Sequence, residues 1–234
     1  LPDQVEGHVL RTLVFESAET LKPVFFNVPR DQTLPLRDIS TPLTVYLVSD
    51  SICQYYQQSD YPQEGWGQNI GQFFQEGVAI DNRAVGGRST KSFISEGRWA
   101  GENGILKTLK PGDYVFLSMG HNDRNTAAAE KYTTIAEYQS YLERYIDDTA
   151  RAGASIVLIT PPTEMWGHGN SLEERSGAMR EVAVKKGVPL LDLNAVSYKH
   201  FMEMGADAAK EAYYLTAKVL ADAGSAKAED LTHF

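Results

Sequence analysis

Ser51 closes the tripeptide Ser49-Asp50-Ser51, directly after the apolar run Leu43–Val48. A hydroxyl at the turn that ends a strand is exposed enough to attack a carbonyl, given a base and an orienting carboxylate within reach. Asp230 and His233 stand three residues apart near the C-terminus. On a helical turn or tight loop that spacing puts both on one side, where the carboxylate can fix the imidazole tautomer. Each signal is ordinary by itself, because most serines after strands merely cap helices and Asp-x-x-His also occurs in solvated polar turns. Ser49 is a rival nucleophile, but on a strand running into the turn it is expected to face the opposite side. His121 and His200 are alternative bases. The first sits in a loop better used for Asn122, and the second lies in a predicted helix. His8 and His168 have no carboxylate context.

A serine nucleophile also needs donors aimed at the developing oxyanion. The Ser51 amide, a glycine amide from Gly86-Gly87 and the Asn122 side chain are the candidates. Glycine lets the backbone approach a substrate closely, and an asparagine amide donates without a competing proton equilibrium.

These residues must be held together by regular elements. Leu43–Val48, Val78–Asn82, Tyr114–Ser118, Ile156–Thr160 and Pro189–Leu193 are short and nearly continuously apolar, as strands buried on both faces of a parallel sheet are. Amphipathic stretches separate them, most clearly Ile135–Ala152 and Leu172–Lys186, the latter stopping at Gly187 as a helix C-cap would. The alternation predicts an α/β three-layer sandwich, with a mainly parallel five-stranded sheet. Ligands of such sheets bind at the carboxyl ends of the strands. Ser49-Asp50-Ser51, Asn82–Ser89 and Gly120-His121-Asn122-Asp123 all fall there, so hydroxyl, glycine, amide and carboxylate groups converge on one edge. Residues 1 to 43 read differently, as a β-rich extension or the end of an upstream β-domain, and 44 to 234 form the main domain.

Bulk properties exclude several classes. The formal net charge of -9 disfavours nucleic acid or an anionic membrane as partner, since phosphate contacts need clustered Lys and Arg. No run approaches the roughly 18 apolar residues of a membrane span. Cys53 is the sole cysteine, so a disulfide within the chain and a Cys-rich zinc site are both excluded. No metal or cofactor is expected. There is no Gly-x-Ser-x-Gly elbow, Walker A loop or His-Glu-x-x-His helix. Asp50 and Asp123 could form a glycosidase pair, but that would leave Ser51, Asn122 and His233 unused. The chain opens at Leu1 without a signal-peptide pattern, which implies removal of something upstream. A secreted enzyme is the favoured location, with a cytoplasmic one left open.

Taken together, Ser49-Asp50-Ser51, Gly87, Gly120-His121-Asn122-Asp123 and Asp230-Leu231-Thr232-His233 resemble the four blocks of SGNH/GDSL hydrolases. Asn82–Ser89, Gly65-Trp66-Gly67 and Gly187–Asn194 are similar to the rhamnogalacturonan acetylesterase branch in particular. The resemblance covers roughly residues 44 to 234. It implies Ser51 as nucleophile, His233 as general base and Asp230 as its orienting carboxylate. The Ser51 and Gly87 amides with Asn122 are then the oxyanion hole, and Gly87 rather than Gly86 is chosen by the resemblance alone. The family usually has Gly where this chain has Ser49, a change that a negative φ accommodates. It also continues with a further helix beyond the base, which implies a chain extending past Phe234.

The substrate implied is an acetylated pectic rhamnogalacturonan. Arg83, Arg88, Lys91 and Arg98 cluster around the second block; Arg88 is the candidate for a uronate carboxylate, although helix solubility and pairing with nearby acids are the commoner uses for most of these cations. Trp166, in a Gly- and Pro-rich loop, is the candidate sugar-stacking residue; Tyr55 and Tyr56 could also stack, and Trp66 fits the core. Alternatives are an acetylxylan or general short-chain esterase and, in another class, a non-catalytic carbohydrate-binding fragment.

Overall fold

The computed structural model describes residues 43–74, 77–164 and 170–233. Five strands form one parallel sheet: β1 (Leu43–Ser49), β2 (Val78–Asn82), β3 (Tyr114–Ser118), β4 (Ser155–Ile159) and β5 (Leu190–Leu191), in the order β2-β1-β3-β4-β5. The two central strands explain why the runs are apolar at every position. Tyr46 and Val48 of β1, with Val115 and Leu117 of β3, face one helical layer. Val45 and Leu47, with Tyr114 and Phe116, face the other. Alternation of side chains therefore feeds two cores at once.

Seven helices lie among the described residues: α1 (Trp66–Asn69), α2 (Thr90–Ser95), α3 (Ile135–Arg151), α4 (Glu173–Lys186), α5 (Leu193–Met204), α6 (Ala206–Tyr213) and α7 (Ala217–Asp222). Helices α2, α3 and α4 cover the first core through Phe93, Tyr138, Leu142, Tyr145, Met179 and Val182. The α1 region and the start of α5 cover the second through Trp66, Ile70, Phe74 and Leu193. The expected three-layer sandwich is thus present.

Local sequence sets the helix ends. Thr134 caps α3: its Oγ1 accepts from the Glu137 amide at 3.2 Å, while Glu137 Oε2 accepts from the Thr134 amide at 2.8 Å, a reciprocal capping box. Helix α4 stops at Gly187, whose φ of 64° costs a glycine little. Trp66 packs against the second core, as expected for a core residue.

Two strand expectations need correction. β2 is only half buried, with Ala79 exposed, because among the described residues it has a neighbour on one side only. Pairing in β5 is confined to Leu190 and Leu191 of the expected Pro189–Leu193, since Asp192 leaves the sheet to cap α5, accepting from the Ala195 amide at 3.2 Å. The expected β-rich segment before the sheet lies outside the described residues, apart from Leu43, which belongs to β1. None of the described helices is long and apolar enough to cross a membrane.

Candidate active site

The strand order reverses at β1: the chain leaves it for β2 on one side and later returns to β3 on the other. Loops leaving neighbouring strands in opposite directions open a crevice at the carboxyl edge. Ser51 sits past the end of β1 and Asn122 past the end of β3, so the topology alone brings them to that crevice.

Ser51 lies in a tight turn. Asp50 is fully buried, its carbonyl accepts from the Cys53 and Gln54 amides, and its Oδ1 accepts from the Ile52 amide at 3.2 Å. These bonds satisfy every amide of the turn except that of Ser51 itself, which bonds to no described residue. Ser49 remains in the sheet with extended backbone, and its Oγ donates to the Ser118 carbonyl at 2.5 Å. It is therefore fully occupied as a rival nucleophile, and its side chain needs no left-handed backbone.

The glycine loop after β2 is tied to β1 by the Val85 amide, which donates to the Ser49 carbonyl at 3.1 Å. Arg88 N–H closes a turn on the Val85 carbonyl, and Gly87 occupies its third position with φ 75°, a conformation that favours glycine. The two glycine amides differ. Gly86 N–H is engaged by Gln54 Oε1 at 2.5 Å, whereas the Gly87 amide bonds to no described residue. The Ser51 side chain lies beside this turn, its Cβ 3.5 Å from where a Cβ on Gly86 would stand. Asn122 spans the two loops, its Nδ2 being 3.1 Å from the Arg88 carbonyl and 3.4 Å from Asp50 Oδ2.

Asp230 and His233 meet through His233 Nδ1 and Asp230 Oδ2, 2.5 Å apart, while Asp230 Oδ1 accepts from the Thr232 and His233 amides. Burial works to raise the Asp230 pKa, but these bonds and the imidazole outweigh it and hold the carboxyl below its usual range. His233 Nε2 is buried and has no hydrogen-bond partner among the described residues. Leu231 packs on Phe201, Ala209 and Tyr214, and Asp230 bridges to Leu215 in both directions, so the motif is anchored on α5 and α6.

One contact ties the C-terminal segment to residues that follow the nucleophile turn, and a second holds the turn itself. Lys227 Nζ reaches the Asp60 carbonyl at 2.8 Å and Asp60 Oδ1 at 3.2 Å. Tyr56 donates its hydroxyl to the Ser51 carbonyl at 2.9 Å. Its phenol is pushed up to about 12 by burial and by the negative charges of Asp50 and Asp230. Tyr56 is therefore a strut of the turn rather than a sugar platform, whereas Tyr55 is exposed.

The cations expected near the second block are paired. Arg83 binds Asp81, Arg88 and Arg98 share Glu96, and Lys91 donates to the Ala129 carbonyl at 2.7 Å. Arg88 Nη1 also holds the Gly86 carbonyl at 2.8 Å. His200 bonds to the Tyr213 hydroxyl at 2.9 Å, a structural use. Trp166, His8 and His168 lie outside the described residues. Sequence reasoning missed Gln54 and Glu164. The second follows the end of β4, and its position at the same sheet edge was the available signal.

Residues 50–219 match the GDSL-like Lipase/Acylhydrolase family; that span includes Ser51, Gly87 and Asn122 and ends before Asp230. The chain is 38% identical over 166 residues to Probable rhamnogalacturonan acetylesterase YesY of Bacillus subtilis, covering 69% of this chain and 75% of the relative. It is 32% identical over 177 residues to Rhamnogalacturonan acetylesterase RhgT of the same organism, covering 74% of each. Among solved structures, YxiM of Bacillus subtilis superposes with a TM-score of 0.66 at 26% identity, over 82% of this chain and 51% of that one, so this chain spans about half of it. Axe2, an acetylxylan esterase from Geobacillus stearothermophilus, superposes with a TM-score of 0.55 at 16% identity, over 72% of this chain and 84% of that one, a likeness of fold.

Proposed function

This chain belongs to the GDSL-like lipase/acylhydrolase family, and we propose that it is a serine esterase removing acetyl groups from pectic rhamnogalacturonan through an acyl-enzyme. The observation that carries the reading is the Asp230–His233 pair, 2.5 Å apart, whose second ring nitrogen is buried and has no hydrogen-bond partner among the described residues.

Ser51 Oγ attacks the acetyl carbonyl carbon while His233 Nε2 takes the hydroxyl proton. The carbonyl oxygen becomes an oxyanion and receives the unbonded Ser51 and Gly87 amides together with Asn122 Nδ2. Collapse of this intermediate breaks the ester bond, and His233 returns its proton to the departing sugar oxygen. Water, deprotonated by His233, then attacks the acetyl-Ser51 carbonyl, releasing acetate and restoring the hydroxyl. Asp230 stays ionised throughout, holding Nδ1 protonated and stabilising the imidazolium.

The names of the relatives at 38% and 32% identity support the pectic substrate. Arg88 lies next to the glycine turn with its side chain 32% exposed, and we assign it to a uronate carboxylate; Trp166 keeps its assignment to sugar stacking. A polymer of this kind is met outside the cell, so the enzyme is placed there.

The test is acetate release from acetylated rhamnogalacturonan and acetylated xylan, with wild type and Ser51→Ala. Release from the pectic polymer, abolished by the substitution, is the expected result. Release from xylan alone would overturn the substrate assignment, and a Ser51→Ala protein with wild-type turnover would overturn the nucleophile.

A further inference from the structure

The loop after β3 carries a second buried group that the mechanism above does not use. The His121 side chain is 6% exposed, with Nδ1 3.6 Å from Asp50 Oδ2 and Nε2 3.9 Å from Glu164 Oε1. Both ring nitrogens are buried and lack a hydrogen-bond partner among the described residues. The imidazole is therefore flanked by a carboxylate at each nitrogen. A neutral ring has one N–H and one lone pair, so one of its nitrogens would turn a lone pair toward an anion. Only the doubly protonated ring offers a donor to each.

The position of Asp50 makes this consequential. Its Oδ2, the oxygen facing His121, is also 3.4 Å from Asn122 Nδ2. A buried, uncompensated carboxylate there would hold the Asn122 donor on itself and repel an oxyanion forming alongside. We propose that His121 is a positioning residue which, as an imidazolium between Asp50 and Glu164, neutralises Asp50 and frees Asn122 to donate to the tetrahedral oxyanion. This rests on the reading of Asn122 as an oxyanion donor.

The surrounding charges agree with the assignment. Burial works to lower the His121 pKa, but Asp50 at the end of β1 and Glu164 after β4 outweigh it, against a smaller opposing effect of Arg124, and the net direction is upward. Arg124 itself pairs with Glu164, leaving that carboxylate shared between two cations. Asp123, on the same loop, is turned to Thr90, and Arg175 of α4 donates to the Asp123 and Thr133 carbonyls.

The sign of the pH effect follows. The charged ring supports turnover, so activity falls as pH rises through the elevated His121 pKa. Tyr56, at about 12, titrates too high to produce that limb. We expect His121→Gln to lower kcat on a small acetate ester by about ten- to a hundredfold, with KM within about twofold, and to abolish the alkaline limb. Glu164→Gln removes one of the two carboxylates, so the limb should move to lower pH; this variant reads the same titration should His121→Gln fold poorly. A limb unmoved in Glu164→Gln, or unchanged kcat in folded His121→Gln, would overturn the proposal. Ser51→Ala in the same assay separates the two ideas: if it retains turnover the esterase reading fails, and if only the limb stays fixed the role of His121 fails.

Discussion

Gly67→Ala puts one methyl group where the structure has no room for it. Helix α1 lies directly on the nucleophile turn, and a Cβ on Gly67 would be driven into the Cys53 carbonyl oxygen, 2.6 Å from Asn82 Nδ2 and 2.7 Å from Cys53 Sγ. Relaxed contacts between such atoms need about 3.5 Å, so neighbours must move by nearly an ångström. The methyl also enters the 2.8 Å hydrogen bond from Asn82 Nδ2 to the Cys53 carbonyl, the tie between the end of β2 and the turn that carries Ser51. Overpacking costs about 1–3 kcal/mol, and leaving the two polar partners unpaired costs about 1–3 kcal/mol more. The entropy gained over glycine returns roughly 0.5–1 kcal/mol, so the net loss is about 1–5 kcal/mol.

The same displacement reaches the chemistry, because Cys53 is two residues from Ser51 in the same turn. A misplacement of about 1 Å can cost about a hundredfold in rate. Denaturant unfolding gives the stability change, and turnover of a chromogenic acetate ester under fully folded conditions gives the rate. Gly177→Ala is the internal control: in α4 a Cβ there meets nothing within 4 Å, so that variant should gain roughly 0.5–1 kcal/mol with turnover unchanged. Wild-type stability and wild-type turnover in Gly67→Ala would refute the claim that α1 clamps the nucleophile turn.

Asn122→Ala should lower kcat by about 100- to 1,000-fold with KM nearly constant; steady-state kinetics on the same ester checks it, and a matching rise in KM would reassign the residue to ground-state binding. The buried Asp123 carboxyl is raised from 3.8 to about 6, chiefly by burial, although Thr90 bonds and Arg175 work against the rise. Between about pH 4 and 6 the folded protein holds a proton that the unfolded chain has released, so stability falls across that window as pH rises, by up to about 3 kcal/mol, and is flat with respect to this group above it. Comparing the unfolding midpoints of wild type and Asp123→Asn against pH isolates the effect, and a pH-independent difference would exclude it.

The strands were legible because burial on both faces leaves a mark on every residue. Tyr114–Ser118 is buried throughout, as a strand covered by helices on both faces is. The half-exposure of β2 was not legible, since it depends on which strands lie beside it and not on Val78–Asn82 themselves. The helices α1, α6 and α7 are four, eight and six residues long, too short for a helical period to stand out. Ser51, Asp230 and His233 could be put forward as candidates from residue type and spacing, whereas the long-range contacts of the C-terminal segment could not. The Lys227–Asp60 contact spans 167 positions, and nothing in either local sequence marks the other.

His121 shows where residue type alone misleads. Read as a competitor for the role of base, it loses to His233, whose partner Asp230 is three residues away. Its real neighbours, Asp50 and Glu164, come from the ends of two other strands, and only the parallel register of β1, β3 and β4 brings the three loops to one edge. The same register places the serine, the glycine turn and the asparagine, so the sheet that was easiest to read also generates the cluster that was hardest. A polar residue just past a strand in such a fold is best weighed with those past its neighbouring strands, because the sheet order, more than local spacing, decides which charges meet.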